Sequence, residues 1–266
     1  MKAPPPVRSK GAARGPRGPR QASPRTLAIG GGILALAVIG IVLGIALGGG
    51  KSSGIPKGTP TTGSVGPNSL PGAADIRYLY KGIPQQGLYL GKANAPVQMV
   101  MFIDLQCPIC QDFEVNSLPT IVRKYIRTGN VRLHLRPWAF IGPDSFKGQK
   151  AEIAAAQQNR AFEFAGVLYD NQGTENTGWM TDGVLAQIAA SVPGLNVPQL
   201  FSARNGGSVS AEAKQIDTEA TQFKVSGTPT ILVGKTGQTP KSVSKPSLSP
   251  TLAEVEQAID TALIKA

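Results

Sequence analysis

The 266-residue sequence has one histidine and two cysteines. Both cysteines fall in one tetrapeptide, Cys107-Pro108-Ile109-Cys110, so none is left for a disulfide elsewhere. The folded part must be stable on its core alone, and about 180 residues bury enough apolar surface for that. A zinc site needs four ligands, or three and a water. With no second cysteine pair and one histidine, the chain offers a poor set. A short structural disulfide in an extracellular module is a further alternative to a redox pair.

Acids are missing from residues 1–26, which carry seven basic groups: Lys2, Arg8, Lys10, Arg14, Arg17, Arg20 and Arg25. The rest of the chain holds 20 basic and 16 acidic residues, so only +4 of the net +11 lies outside this arm. The positive charge is a property of the tail, and no nucleic acid partner is expected for the folded part. Large apolar groups are also scarce in 1–26. Such a segment cannot offset its ordering entropy by burial and reads as a disordered basic arm.

Charge then disappears altogether. Leu27 to Leu47 is 21 residues of mostly Ile, Leu, Val, Ala and Gly. At about 1.5 Å per residue it crosses a hydrocarbon core of about 30 Å. The arginines before it satisfy the positive-inside rule, which puts the N-terminus in the cytoplasm and the remainder outside. A cleaved signal peptide would carry an apolar region of about 7–15 residues and a small-x-small cleavage site. This run is longer, and Ala46-Leu47-Gly48 is a poor cleavage site. The expectation is a single-pass cell-membrane protein anchored by a transmembrane helix over 27–47. Gly40, Gly44 and Gly48 give two overlapping GxxxG spacings, a possible helix-dimer face. Residues 48–80 read as a flexible tether, since 16 of the 27 residues from Gly48 to Ala74 are Gly, Pro or Ser.

Residues 81–266 read as one α/β domain. Gly87-Leu88-Tyr89-Leu90-Gly91 fits a short edge strand. Val97 to Leu105 is apolar on both faces, as in the middle of a sheet. The two cysteines follow, and Cys107 to Gly129 has helical periodicity, with a break expected near Leu118 because Pro119 falls inside it. Val131 to Leu135 is a second strand, and strand–helix–strand in this order makes a parallel crossover. His134 would be the obvious general base, but Arg132 and Arg136 alternate with it, which is the pattern of a polar strand face. About 145–223 is helix and turn throughout, with one Ala-rich helix over Lys147–Leu168. That is too long for a loop and makes an all-helical subdomain. Val225 to Gly234 returns to strand character. Ser249 begins a last helix, with Pro250 in its first turn or Thr251/Glu254 as a capping box.

A thiol pair between a strand and a helix start has redox geometry. Helix-end amides and the helix dipole stabilise a thiolate there, and the two-residue spacing lets one sulfur close on the other. Asn94-Ala95-Pro96-Val97, Asp104-Leu105-Gln106-Cys107-Pro108-Ile109-Cys110, Arg136-Pro137-Trp138-Ala139-Phe140, Asp170-Asn171-Gln172 through Gly178-Trp179, and Gly227-Thr228-Pro229-Thr230 occur in that order. With these pieces the chain resembles, over about 86–265, the DsbA-like thiol–disulfide oxidoreductases of the thioredoxin superfamily, in their membrane-anchored bacterial branch.

The resemblance implies a thioredoxin-like fold with an inserted helical subdomain. It implies that Cys107 is the nucleophile, Cys110 the resolving thiol, and Thr228 with a cis Pro229 the wall that meets substrate. The family commonly has a buried acid six residues before the first cysteine; here that position is Met101. Asp104 is a residue the family shares, either an acid in the chemistry or a local turn ligand. The expected activity is oxidation of reduced secreted or cell-envelope proteins through the Cys107–Cys110 disulfide. It would need no cofactor or metal, and a quinone-linked membrane partner would reoxidise the pair. A reductase or isomerase, or a non-catalytic peptide-binding module, are the alternatives.

Overall fold

The computed structural model describes residues 54–243 and 249–264. The basic arm and the span expected over 27–47 lie outside them. Among the described residues no helix is long and apolar enough to cross a membrane.

The described residues open with helix α1 (Ala73–Tyr80) and two short strands, β1 (Gln85–Gln86) and β2 (Tyr89–Leu90). The central strand β3 (Val97–Ile103) follows, buried along its length except for half-exposed Gln98. Next come helix α2 (Pro108–Asn116), the short helix α3 (Leu118–Ile121) and a π-helical turn over Val122–Ile126. Strand β4 (Val131–Pro137) leads into five helices: α4 (Pro143–Ala156), α5 (Ala161–Asp170), α6 (Asp182–Ala190), α7 (Val197–Ala203) and α8 (Gly207–Gln222). Strands β5 (Thr230–Lys235) and β6 (Lys241–Ser242) and helix α9 (Leu252–Ile264) complete it.

The sheet order is β1-β2-β4-β3-β5-β6. β3 and β4 are parallel, from Val97 opposite Val131 to Ile103 opposite Pro137. β5 runs antiparallel on the other side of β3. A strand paired on both edges and covered on both faces must be apolar throughout, which is why β3 is so legible. The helix after it breaks at Ser117, as Pro119 requires, because the ring has no N–H to give to the preceding turn. The capping box holds at α9: Thr251 Oγ1 accepts from Glu254 N–H, and Glu254 Oε2 accepts from Thr251 N–H. Pro250 therefore precedes the helix. The Ala-rich run is two helices rather than one. The chain turns at residues 157–160, where Asn159 takes φ 55°.

Phe102 and Arg136 are register partners on one face of the sheet, under α8. The Phe102 ring meets Phe223 edge-on at 6.3 Å, and Arg136 is buried against Glu212 and Glu219 of α8. Arg136 Nε donates to Glu219 Oε2 at 2.6 Å and Nη1 to Glu212 Oε1 at 2.6 Å, while Nη2 reaches the second Glu219 oxygen. The polar strand face expected around His134 is thus polar without being exposed at Arg136.

The tether expected over 48–80 needs correction from residue 54 onward. Gly63 N–H donates to Leu195 O at 2.8 Å and Gly63 O accepts from Gly194 N–H at 2.9 Å. Thr62 bridges Asn196, and Leu70 N–H donates to the Ser191 hydroxyl at 3.0 Å. A Cβ on Gly63 would lie 2.0 Å from Val192 O. Small residues read as flexible are here the ones that let two backbones touch. Residues 61–70 strap the helical layer, and α1 packs Ile76 against Gly166 of α5.

Candidate active site: a thiol pair at a helix start

Cys107 is the N-cap of α2, with extended backbone (φ −73°, ψ 120°), and Pro108 is the first helical residue. This places the Cys107 sulfur at the positive end of the helix. Its Sγ accepts the Cys110 N–H at 3.4 Å and lies 3.5 Å from Thr228 O. Cys107 keeps 5% of its surface and Cys110 1%, so the first cysteine borders solvent more than the second.

The two thiols are driven apart in acidity. A hydrogen bond from the Cys110 thiol is the largest influence on Cys107. It outweighs burial, and with help from Thr228 and the Cys110 and Ile109 amides it lowers Cys107 to about 6. Burial, and then the neighbouring Cys107 sulfur, push Cys110 well up. At pH 7 the pair therefore holds one thiolate, on Cys107, and one proton, on Cys110. Iodoacetamide is expected to alkylate Cys107 with a midpoint near pH 6 while leaving Cys110 unmodified, as read by peptide mass spectrometry across a pH series. Equal labelling of both, or a midpoint near an ordinary thiol's value of about 8.5, would contradict this asymmetry.

The loop that carries Cys107 is held from all sides. Asp104 is buried, and its carboxylate is a turn ligand: Oδ1 accepts Gln106 N–H at 3.0 Å, and Oδ2 accepts the Phe140 and Ile141 amides at 3.1 and 3.2 Å. The Tyr169 hydroxyl donates to Asp104 O at 3.0 Å. Gln172 Nε2 donates to Leu105 O at 3.0 Å and Cys107 O at 3.3 Å. Gln106, also buried, donates to the Ser145 hydroxyl at 2.7 Å and accepts Asn176 N–H at 2.9 Å. Gly148 lets α4 sit directly on this loop, since a Cβ there would meet Leu105 and Met180 at 3.1 Å or less. The helical subdomain thus acts as a clamp on the strand-to-helix turn.

Thr228-Pro229 is a cis peptide, and it lies beside Cys107 through the 3.5 Å approach of Thr228 O. Ile109, Phe140 and Phe146 are exposed, and Phe140 stacks on Trp138 at 4.5 Å. The structure therefore brings together Cys107, Cys110, Thr228 and Pro229. It leaves His134 out: the ring stacks on Tyr89 at 3.9 Å, and burial with Arg136 and Arg132 nearby lowers it to about 3. Among the described residues no group of three His, Cys, Asp or Glu side chains is placed to hold a metal ion.

Met101 is fully buried in β3 and supplies no acid. Two buried acids that sequence reading missed are Glu114 of α2 and Glu152 of α4. The signal for the first was available: Glu114 is four residues after Cys110, on the same buried helix face as Phe113 and Leu118.

A family model described as thioredoxin matches residues 84–260. The chain is 31% identical over 147 residues to a probable disulfide bond formation protein D of Bacillus cereus, covering 54% of this chain and 68% of that one. It superposes on the crystal structure of oxidised BdbD from Bacillus subtilis with a TM-score of 0.59 at 22% identity, covering 68% of this chain and 97% of that one. For the crystal structure of Chlamydia trachomatis DsbA the TM-score is 0.56 at 23% identity, over 65% and 90% of the two chains. At these identities the two superpositions speak for the fold. A matched family model over most of the chain, a relative above 30% identity and a buried thiol pair at a helix start agree: the chain belongs to the thioredoxin family, as a DsbA-like thiol–disulfide oxidoreductase.

Proposed function

We propose that this protein is a membrane-tethered, extracytoplasmic oxidase that introduces disulfides into secreted and cell-envelope proteins through Cys107 and Cys110. The observation that carries the reading is the split between the two thiols. A reduced pair that rests as a Cys107 thiolate is stabilised in the reduced form, and a stabilised reduced form makes the disulfide oxidising. The name of the Bacillus cereus relative, a disulfide bond formation protein, supports the same direction. The uncharged run of 27–47 behind its basic arm supports the tether and the compartment.

In this reading a substrate thiolate attacks Cys107 Sγ of the disulfide and Cys110 leaves. The substrate's second thiol then attacks the substrate sulfur of the mixed disulfide, and Cys107 leaves as a thiolate. Thr228 and Pro229 form the wall against which an extended substrate segment lies, with Ile109 and Phe140 as apolar rim. A membrane partner, quinone-linked, reoxidises the pair.

Equilibration of the full-length protein with glutathione buffers tests the direction. A potential well above thioredoxin's value of about −270 mV is expected, together with oxidation of a reduced dithiol peptide. A potential near thioredoxin's with no peptide oxidation would assign a reductase instead.

A further inference from the structure

Cys110 needs a proton when it leaves and must lose one before it attacks, yet it is sealed from water and the strand position that could carry an acid is Met101. The acids lie elsewhere. Glu114 sits four residues on from Cys110 in α2, so the two side chains share a helix face about one turn apart. Glu114 and Glu152 are each more than nine-tenths buried. Glu114 Oε2 and both Glu152 oxygens have no hydrogen-bond partner. Carboxyl groups in that state are stored protons rather than structural anions.

Several groups face Glu114. Tyr80 of α1 is within hydrogen-bonding reach of it, Glu152 of α4 is close enough for the two charges to repel, and Tyr169 and Asp170 come from α5. Glu163 of α5 acts on Tyr80 from behind. The Tyr169 hydroxyl is committed to Asp104 O, and Asp104 to three backbone amides, so neither is free to serve Cys110. Asp170 lines an open groove of about 280 Å³ with Pro108, Gln111, Asp112, Val115 and Tyr169. Asp170, whose charge Glu114 feels, thus borders water. Burial, then Asp170, raises Glu114 to about 8, and burial, then the nearby Glu114, pushes Glu152 well above the ordinary glutamate range.

We propose that Glu114, backed by Glu152, is the proton store of Cys110, filling from a helix the role that β3 leaves vacant at Met101. The proposal rests on the reading of Cys107 and Cys110 as a dithiol pair. When a substrate thiolate attacks Cys107 Sγ, the Cys107–Cys110 bond breaks and its electron pair goes to Cys110 Sγ. That sulfur takes the Glu114 proton, and the Glu114 carboxylate is refilled from water through the groove at Asp170. In reoxidation the oxidant's disulfide first captures Cys107. Glu114 gives its stored proton back to water, its carboxylate takes the Cys110 proton, and the Cys110 thiolate attacks Cys107 Sγ, releasing the oxidant sulfur bound to Cys107 with the electron pair. Glu114 acts on the sulfur from one turn away and touches no substrate.

The two-step reaction of the reduced full-length protein with Ellman's reagent separates the two thiols. Cys107 releases the first thionitrobenzoate, and attack by Cys110 on the mixed disulfide releases the second. Glu114→Gln keeps volume and polarity and removes the proton. The second phase is expected to slow about 100-fold at pH 7 and to rise tenfold per pH unit, while the first phase keeps its rate. Glu152→Gln should slow the second phase less. A second phase with wild-type rate and pH profile in Glu114→Gln overturns the proposal. Absence of the first phase in the wild type overturns the dithiol reading instead. Should Glu114→Gln fail to fold, the carboxyl carbon signal of Glu114 in the wild-type protein decides. It should titrate well above the ordinary glutamate range and move on oxidation of the pair; an ordinary titration or no response to oxidation overturns the proposal.

Discussion

Cys107→Ser is expected to lower thiol–disulfide exchange with a reduced peptide by roughly a thousand-fold or more, with no change in thermal stability. The nucleophile is a thiolate, and the environment built around position 107 stabilises one: the helix-end amide of Cys110 and the Cys110 thiol. A serine hydroxyl there stays protonated and offers no leaving sulfur. Cys110→Ser should behave differently. Cys107 loses the hydrogen bond that most favours its thiolate, so its alkylation midpoint rises. It still captures an oxidised partner, but no buried thiol completes the exchange, and mixed disulfides build up that dithiothreitol releases on a non-reducing gel. Survival of the protein's function in cells carrying Cys107→Ser would make it a binding module. Trapping by Cys107→Ser rather than Cys110→Ser would exchange the roles of the two cysteines.

Glu219→Ala should destabilise the fold by about 3–5 kcal/mol, the cost of a buried charge stripped of its main partner. Arg136 keeps 1% of its side-chain surface and meets Glu219 with two of its nitrogens. Glu212 takes only Nη1 and keeps 33% of its own surface, so Glu212→Ala should cost about 1 kcal/mol. Arg136→Met should be milder than Glu219→Ala, since Glu219 at 22% exposure and Glu212 at 33% can be rehydrated in place. For a domain of this size about 3–5 kcal/mol corresponds to a Tm lower by roughly 10 °C. Equal losses for Glu212→Ala and Glu219→Ala would sink the account of Arg136 as a bidentate clamp on one helix. The clamp also bears on the site, because α8 feeds through Phe223 into the loop that ends at Thr228-Pro229.

How much of this was legible depended on whether the information was local. β3 could be read because a doubly covered strand has no polar face. The α2 break was written in Pro119, the start of α9 in Thr251 and Glu254, and the thiol pair in its spacing and its place after a strand. The strap at 61–70 was not legible. Its stability lies in backbone pairing with residues 190–197, and Gly, Pro and Ser have the same composition in a free tether and in a close backbone contact. Arg136 looked like part of a polar strand face with Arg132 and His134 because the glutamates that bury it are more than 70 residues away. Glu114 was passed over because apolar residues define a helix's inner face, and an acid among them is seen as an exception until its surroundings are known.

The strap also sets an order of events in folding. Thr62 and Gly63 are made early and exposed early, but the backbone they pair with belongs to residues 190–197, after strands β1–β4 and helices α1–α6 in the chain. Contacts of such sequence separation form late, after the loop they close has been shortened by other structure. A nascent chain therefore holds its first 20 or so domain residues idle until α6 and α7 exist. The helical layer, for its part, keeps an open ledge until the strap arrives. Strap closure is thus the step that reports assembly of the helical layer.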